Sequence, residues 1–117
     1  MGLSTHVLDT MHGTPAAGMA VALYTVADGQ ASLVRRFVLD RDGRSPDGPL
    51  YRDGELQAGR YRLVFEVAAY FRARGVTLPE PAFLDQVTLD FGIARPQEHY
   101  HVPLLASPWS YSTYRGS

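Results

Sequence analysis

Turn signals punctuate this 117-residue chain at intervals that suit short strands. "GTPAAG" at 13–18, "DG" at 28–29, "DRDG" at 40–43, "SPDGP" at 45–49 and "AG" at 58–59 place Gly, Pro and Asp where a backbone can reverse. The runs they bound are "LSTHVLD" (3–9), "MAVALYTV" (19–26), "SLVRRFVLD" (32–40), "RYRLVFEV" (60–67), "FLDQVTLDF" (83–91), "EHYHVPLL" (98–105) and "SYSTYR" (110–115). They are rich in Val, Leu, Tyr, Phe and Thr, side chains that pack well on a pleated surface. The pattern predicts an all-β sandwich or barrel of seven strands, with room for a short eighth near Leu50 and Tyr51.

Strand alternation says which side chains face inward. In "RYRLVFEV", Tyr61, Leu63, Phe65 and Val67 share one face, and Arg60, Arg62, Val64 and Glu66 the other. "AAYFRARG" (68–75) breaks the alternation and ends on Gly75, as a short helix would. No linker, low-complexity tract or repeat divides the chain, so residues 1–117 are read as a single domain, of a length that buries roughly two-thirds of its unfolded surface.

Composition removes several kinds of chemistry. A net charge of -1 leaves no electrostatic footprint for nucleic acid or anionic lipid, so neither is expected as a partner. The absence of cysteine excludes disulfides, thiolate metal sites and thiol nucleophiles. "MGLSTHVLDT" lacks the basic-then-apolar pattern of a secretory leader, and no apolar run approaches the ~20 residues of a membrane span, so a cytoplasmic protein is expected. What remains is His, Ser, Tyr, Arg and carboxylate chemistry.

The histidines have an unusual phase. His99, His101 and Pro103 share one face of their strand, while the apolar Tyr100, Val102 and Leu104 share the other. In the first strand Leu3, Thr5 and Val7 oppose Ser4, His6 and Leu8. His6, His99 and His101 therefore all point away from the side destined for the core. A single such histidine is ordinarily a solvated surface group, and a pair at i and i+2 can clamp an adventitious cation. No HExxH-like signature supports a required metal, and no cofactor is expected. Arg41 and Arg44 lie in "DRDGR", which turn chemistry explains without a function. The end of the chain, "SPWSYSTYRGS", is too rich in aromatic residues for a frayed tail.

Taken together, "LSTHVLDTMHGTPAAGM", "DRDGR" and "EHYHVPLLASPWSYSTYRGS" resemble, in order and over the whole chain, the 5-hydroxyisourate hydrolases, the transthyretin-related enzymes of urate degradation. The terminal "YRGS" is the most specific element, and Trp109 and the 45–59 loop depart from the family's usual pattern without touching a motif residue. The resemblance implies a transthyretin-like sandwich of two four-stranded sheets with one short helix. It implies a homotetramer whose active sites open into a central channel. The implied substrate is the small molecule 5-hydroxyisourate, opened by water at its lactam to 2-oxo-4-hydroxy-4-carboxy-5-ureidoimidazoline.

The resemblance also carries residue roles. His6, His101, Arg44 and Ser117 match catalytic positions; His6, Arg44, Tyr114, Arg115, Gly116 and Ser117 match substrate-binding ones. In that assignment His6 and His101 form an acid/base pair, Arg44 grips the anionic substrate, and Ser117 positions water or the purine ring. Gly116 is expected to supply a turn closed to other residues, so that Arg115 and Ser117 aim separately into the pocket. The residues alone leave two rivals open: a transthyretin-like carrier of small ligands without catalysis, and an adhesive immunoglobulin-like domain.

Overall fold

The computed structural model describes residues 2–116. Two four-stranded sheets face each other across the core, in the strand orders β2-β1-β7-β8 and β4-β3-β5-β6. The strands are β1 (Leu3–Asp9), β2 (Thr14–Pro15), β3 (Ala20–Ala27), β4 (Gln30–Val38), β5 (Gly59–Phe65), β6 (Val87–Ile93), β7 (Tyr100–Ala106) and β8 (Tyr111–Thr113), and one helix, α1 (Val67–Ala73), follows β5. The sandwich and its short helix agree with the sequence expectation. No helix among the described residues is long and apolar enough to cross a membrane.

Local chemistry explains most of the boundaries. The β3–β4 hairpin closes between Ala27 and Gln30 through Asp28 and Gly29, both at positive φ (54° and 76°). That is the backbone a two-residue hairpin loop requires, and it is why "DG" reads so clearly. After α1, Gly75 takes φ 86° and Val76 donates its N–H to the Phe71 carbonyl at 3.0 Å, which ends the helix.

Two expectations need correction. The eighth strand is not at Leu50–Tyr51, which makes only an isolated bridge with Leu3; it is Thr14–Pro15, hidden inside a turn-like stretch and paired with Leu8 and Asp9 of β1. The sixth begins at Val87 rather than 83, because the Asp85 carbonyl accepts the Ala68 N–H at 3.0 Å and so serves the start of α1 instead of the sheet. Phe83 is left exposed, tilted against Trp109 at 6.0 Å between ring centroids.

β1 and β7 are central and run parallel, with Leu3 opposite Tyr100 and Asp9 opposite Ala106. Their inward side chains, Leu3, Thr5, Val7, Tyr100, Val102 and Leu104, are buried against Leu23, Leu63 and Phe65 of the other sheet. Thr5 is the polar member of this set, and its hydroxyl is satisfied by the Val102 carbonyl at 2.7 Å.

At the end of β1 the wholly buried carboxylate of Asp9 ties three elements together. It accepts the His12 N–H at 2.9 Å, the His12 ring Nδ1 at 2.6 Å and the Tyr70 hydroxyl of α1 at 2.8 Å. Arg74 lies 3.4 Å away and also donates to Thr14 Oγ1 at 3.1 Å, so β2 belongs to the same network. Burial alone would raise this carboxyl's pKa. The hydrogen bonds from His12 and Tyr70 outweigh it and hold the pKa below the ordinary carboxylate value. A group of this kind stabilises the fold above its unfolded pKa, and the contribution is lost as pH falls through the folded one. Asp9→Asn is expected to cost about 2–4 kcal/mol, because His12, Tyr70 and Arg74 share a carboxylate inside the protein and the amide replaces one acceptor oxygen with a donor. Its deficit, measured by denaturant unfolding, should be full at neutral pH and shrink toward acid.

Candidate active site

The outward face of the β1–β7 pair carries the histidines. Strict alternation puts Ser4, His6 and Leu8 of β1 beside His101, Pro103 and Leu105 of β7, with Ser4 opposite His101 and His6 opposite Pro103. The His6 and His101 rings stack at 6.5 Å between centroids and 24°, and His99 stacks on the other side of His101 at 6.5 Å and 9°. His101 is thus the middle of a row of three imidazoles. Its Nδ1 lies 2.8 Å from Ser4 Oγ. The His99 Nδ1 is buried without a hydrogen-bond partner among the described residues.

Arg44 reaches this face through the "DRDG" turn. The Asp40 carboxylate accepts the N–H groups of Asp42 (2.9 Å) and Arg44 (3.1 Å), and the Asp40 N–H is donated to the Arg44 carbonyl at 2.9 Å. Gly43, at φ 73°, lets its carbonyl accept the Val7 N–H at 2.9 Å; a Cβ there would sit 2.6 Å from the Val7 oxygen. The turn is thereby fastened to β1 with Arg44 bridging His6. Beside it opens a cleft of about 440 Å³ lined by Ser4, Asp40, Arg44, Ser45 and His99, a volume that suits a small heterocycle. Among the described residues no group of three or more His, Cys, Asp or Glu is arranged to hold a metal ion.

The electrostatics favour neutral imidazoles. Burial, then the Arg44 charge, lowers the pKa of His6 below its ordinary value, against a smaller opposing pull from the Asp42 main chain and the Asp40 and Asp42 carboxylates. His101 is lowered by burial, by Arg44 and by its two neighbouring histidines. A neutral imidazole beside a fixed cation can accept a proton from water near neutral pH while the cation holds an anion.

The tail is placed differently from the sequence expectation. Gly116 donates its N–H to the His101 carbonyl at 2.7 Å and lies against the ring: a Cβ there would meet His101 Cδ2 at 2.9 Å. Its φ is not in the left-handed region, so glycine is required for close approach and not for an unusual turn. Arg115 turns to the opposite side of β7. Its guanidinium stacks 3.9 Å from the Tyr100 ring centroid and donates to Glu98 Oε1 and the His99 carbonyl, each at 3.0 Å. Tyr114 and Arg115 line a separate cleft of about 450 Å³ between the edges of the two sheets, with Phe91, Tyr100 and Val102. Ser117 lies outside the described residues. The fold therefore gathers His6, His101, Arg44 and Gly116 on one face and leaves Tyr114 and Arg115 at the other cleft. Ser4 was not singled out from the sequence, although alternation already put it beside His6.

This geometry predicts the titration of the two rings. Both bind a proton less readily folded than unfolded, so stability should fall as pH drops below ~6.5. Removing the neighbouring cation with Arg44→Gln should raise both histidine pKa values, seen by NMR titration, and lessen that acid loss.

Comparison with known proteins follows the same lines. A 5-hydroxyisourate hydrolase from Pseudomonas aeruginosa is 55% identical over 98% of this chain and 90% of its own length. Among solved structures, an (S)-allantoin synthase superposes with a TM-score of 0.93 at 46% identity, this chain covering 43% of that longer one. A sea bream transthyretin solved with thyroxine superposes with a TM-score of 0.83 at 31% identity over 99% of this chain and 95% of that one. The family model described as the HIUase/Transthyretin family matches residues 3–116, which takes in both central strands, the "DRDG" turn and the tail as far as Gly116, and the chain belongs to that family.

Proposed function

We propose that this protein is an enzyme that hydrolyses 5-hydroxyisourate, with His6 and His101 as its acid/base pair. The observation that carries the reading is the stacked His6–His101 pair beside Arg44, on rings kept neutral by burial and by that cation. The name of the Pseudomonas relative supplies the substrate. Opening the lactam needs a water deprotonated as its oxygen bonds to the carbonyl carbon, a place for the oxyanion that forms, and a proton for the nitrogen released when the C–N bond breaks. The imidazole that takes the water's proton leaves the pair with one proton to give, and that proton goes to the leaving nitrogen as the C–N bond breaks. Arg44, with its rigid donor fork, holds the anionic substrate. No metal or cofactor takes part in these steps.

Gly116, seated on the His101 ring, brings the tail to the pocket, and in the proposed tetramer Tyr114, Arg115 and Ser117 are assigned to substrate binding. Support for an assembly comes from the outward face itself, where the half-buried Leu8 and Leu105 flank the histidines, a mixture ill suited to bulk water. The carrier reading is weaker because a channel that only binds has no need of two neutral imidazoles against an arginine.

Freshly prepared 5-hydroxyisourate should decay faster in the presence of the protein, followed by absorbance. His6→Ala and His101→Ala should each lower kcat by ~10²-fold or more with the circular dichroism spectrum retained. Gly116→Ala should also impair turnover, since its methyl meets the His101 ring. Near-wild-type rates in either histidine variant would remove that residue from the mechanism. Light scattering is expected to give four chains per particle, and a fully active monomer would contradict the proposed assembly.

A further inference from the structure

We propose that Ser4 is the positioning residue of His101, accepting the proton-bearing Nδ1 so that Nε2 presents the lone pair that deprotonates the attacking water. This rests on the hydrolytic reading above and deepens it, because it assigns the base to one ring and one nitrogen. An isolated neutral imidazole interconverts between two tautomers, and the partner of one nitrogen decides which nitrogen is left free.

Three observations point to Ser4 as that partner. The parallel register sets Ser4 directly opposite His101, on the outward face that both share. The Ser4 Oγ to His101 Nδ1 distance is 2.8 Å, an ordinary hydrogen bond, and Ser4 also lines the cleft beside Arg44. The ring's other named neighbours are His6, His99 and Arg44, with Gly116 lying against it. A hydroxyl can donate or accept, so distance alone does not give the direction. The chemistry asked of the ring sets it. A base at Nε2 needs its lone pair there, which puts the proton on Nδ1, where Ser4 Oγ at 2.8 Å is placed to accept it.

The proton balance is simple. A water O–H proton passes to Nε2 as the water oxygen bonds to the lactam carbon. The resulting imidazolium keeps its Nδ1–H on Ser4 Oγ throughout, and the Nε2 proton passes to the released nitrogen as the lactam C–N bond breaks, which returns the ring to its neutral form. Ser4 touches neither substrate nor water in this scheme. It acts through His101.

Ser4→Ala should lower kcat about tenfold, less than removing the imidazole, while KM changes by no more than about twofold. Losing an acceptor for the imidazolium should move the acidic limb of the pH–rate profile to lower pH, and Ser4→Thr, which restores a hydroxyl on the same face, should return both values toward wild type. NMR of isotope-labelled histidine should find the His101 proton on Nδ1 in the unaltered protein and divided between the nitrogens in Ser4→Ala. A wild-type kcat and pH limb in Ser4→Ala, with His101→Ala inactive, would overturn the inference and leave the hydrolytic reading standing. So would a His101 proton on Nε2 in the unaltered protein. Complete loss in Ser4→Ala that threonine does not rescue would overturn it in favour of Ser4 as a nucleophile. Full activity in His101→Ala would instead remove the base and with it the proposed function of that ring.

Discussion

The parallel pairing of β1 with β7 is the contact on which the rest of the molecule depends. It joins residues 97 apart in sequence, and both faces of the pair are pinned by side chains: Thr5 to the Val102 carbonyl on the inside, Ser4 to the His101 ring on the outside. A slip of one residue would exchange the two faces, burying His6 and exposing Leu3 and Val7. The core therefore specifies the site. The inward apolar side chains Leu3, Val7, Tyr100, Val102 and Leu104 choose a register, and the outward histidines have no freedom to stack in another arrangement. The Asp9 network at the end of β1 and the Gly43 contact at Val7 fasten the flanking turns to this same strand.

The site is electrostatically costly by design. His6, His99, His101 and Arg44 gather on one face, and the neighbouring carboxylates of Asp40 and Asp42 offset the effect on His6 only in part. Asp40 is occupied with backbone N–H groups of its own turn. A stability-first arrangement would pair Arg44 with a carboxylate and leave the imidazoles apart. Holding neutral bases beside a cation that has no ion pair among the described residues makes sense where an anion and a water must meet, and groups displaced from their ordinary pKa by burial and a specific charge are common at reacting centres.

The tail shows how a motif can be recognised for one reason and used for another. Gly116 stands out in "YRGS", and the natural guess is a turn only glycine can make. Its backbone is unexceptional; what excludes a side chain is the His101 ring against it. Arg115 looks like a second cation for an anionic substrate, yet within one chain it stacks on Tyr100 and pairs with Glu98 on the other side of β7. The motif is local in sequence, but where each of its side chains points follows from pairing with β7.

The sequence by itself determined the all-β class, most strand positions, the end of the helix and the outward phase of His6, His99 and His101. These depend on turn chemistry and on a period of two, which are properties of a few consecutive residues. The likeness of its motifs to known hydrolases picked out Arg44, for which composition offered only a turn. Tertiary structure decided that Thr14–Pro15 is a strand, that residues 83–86 serve the helix, that Ser4 meets His101 and that Arg115 leaves the histidine face. Each of these is a choice of partner, nearby for Thr14–Pro15, which folds back on Leu8 and Asp9, and more distant for the others. Alternation says which way a side chain points, and only the packed register says what it meets there.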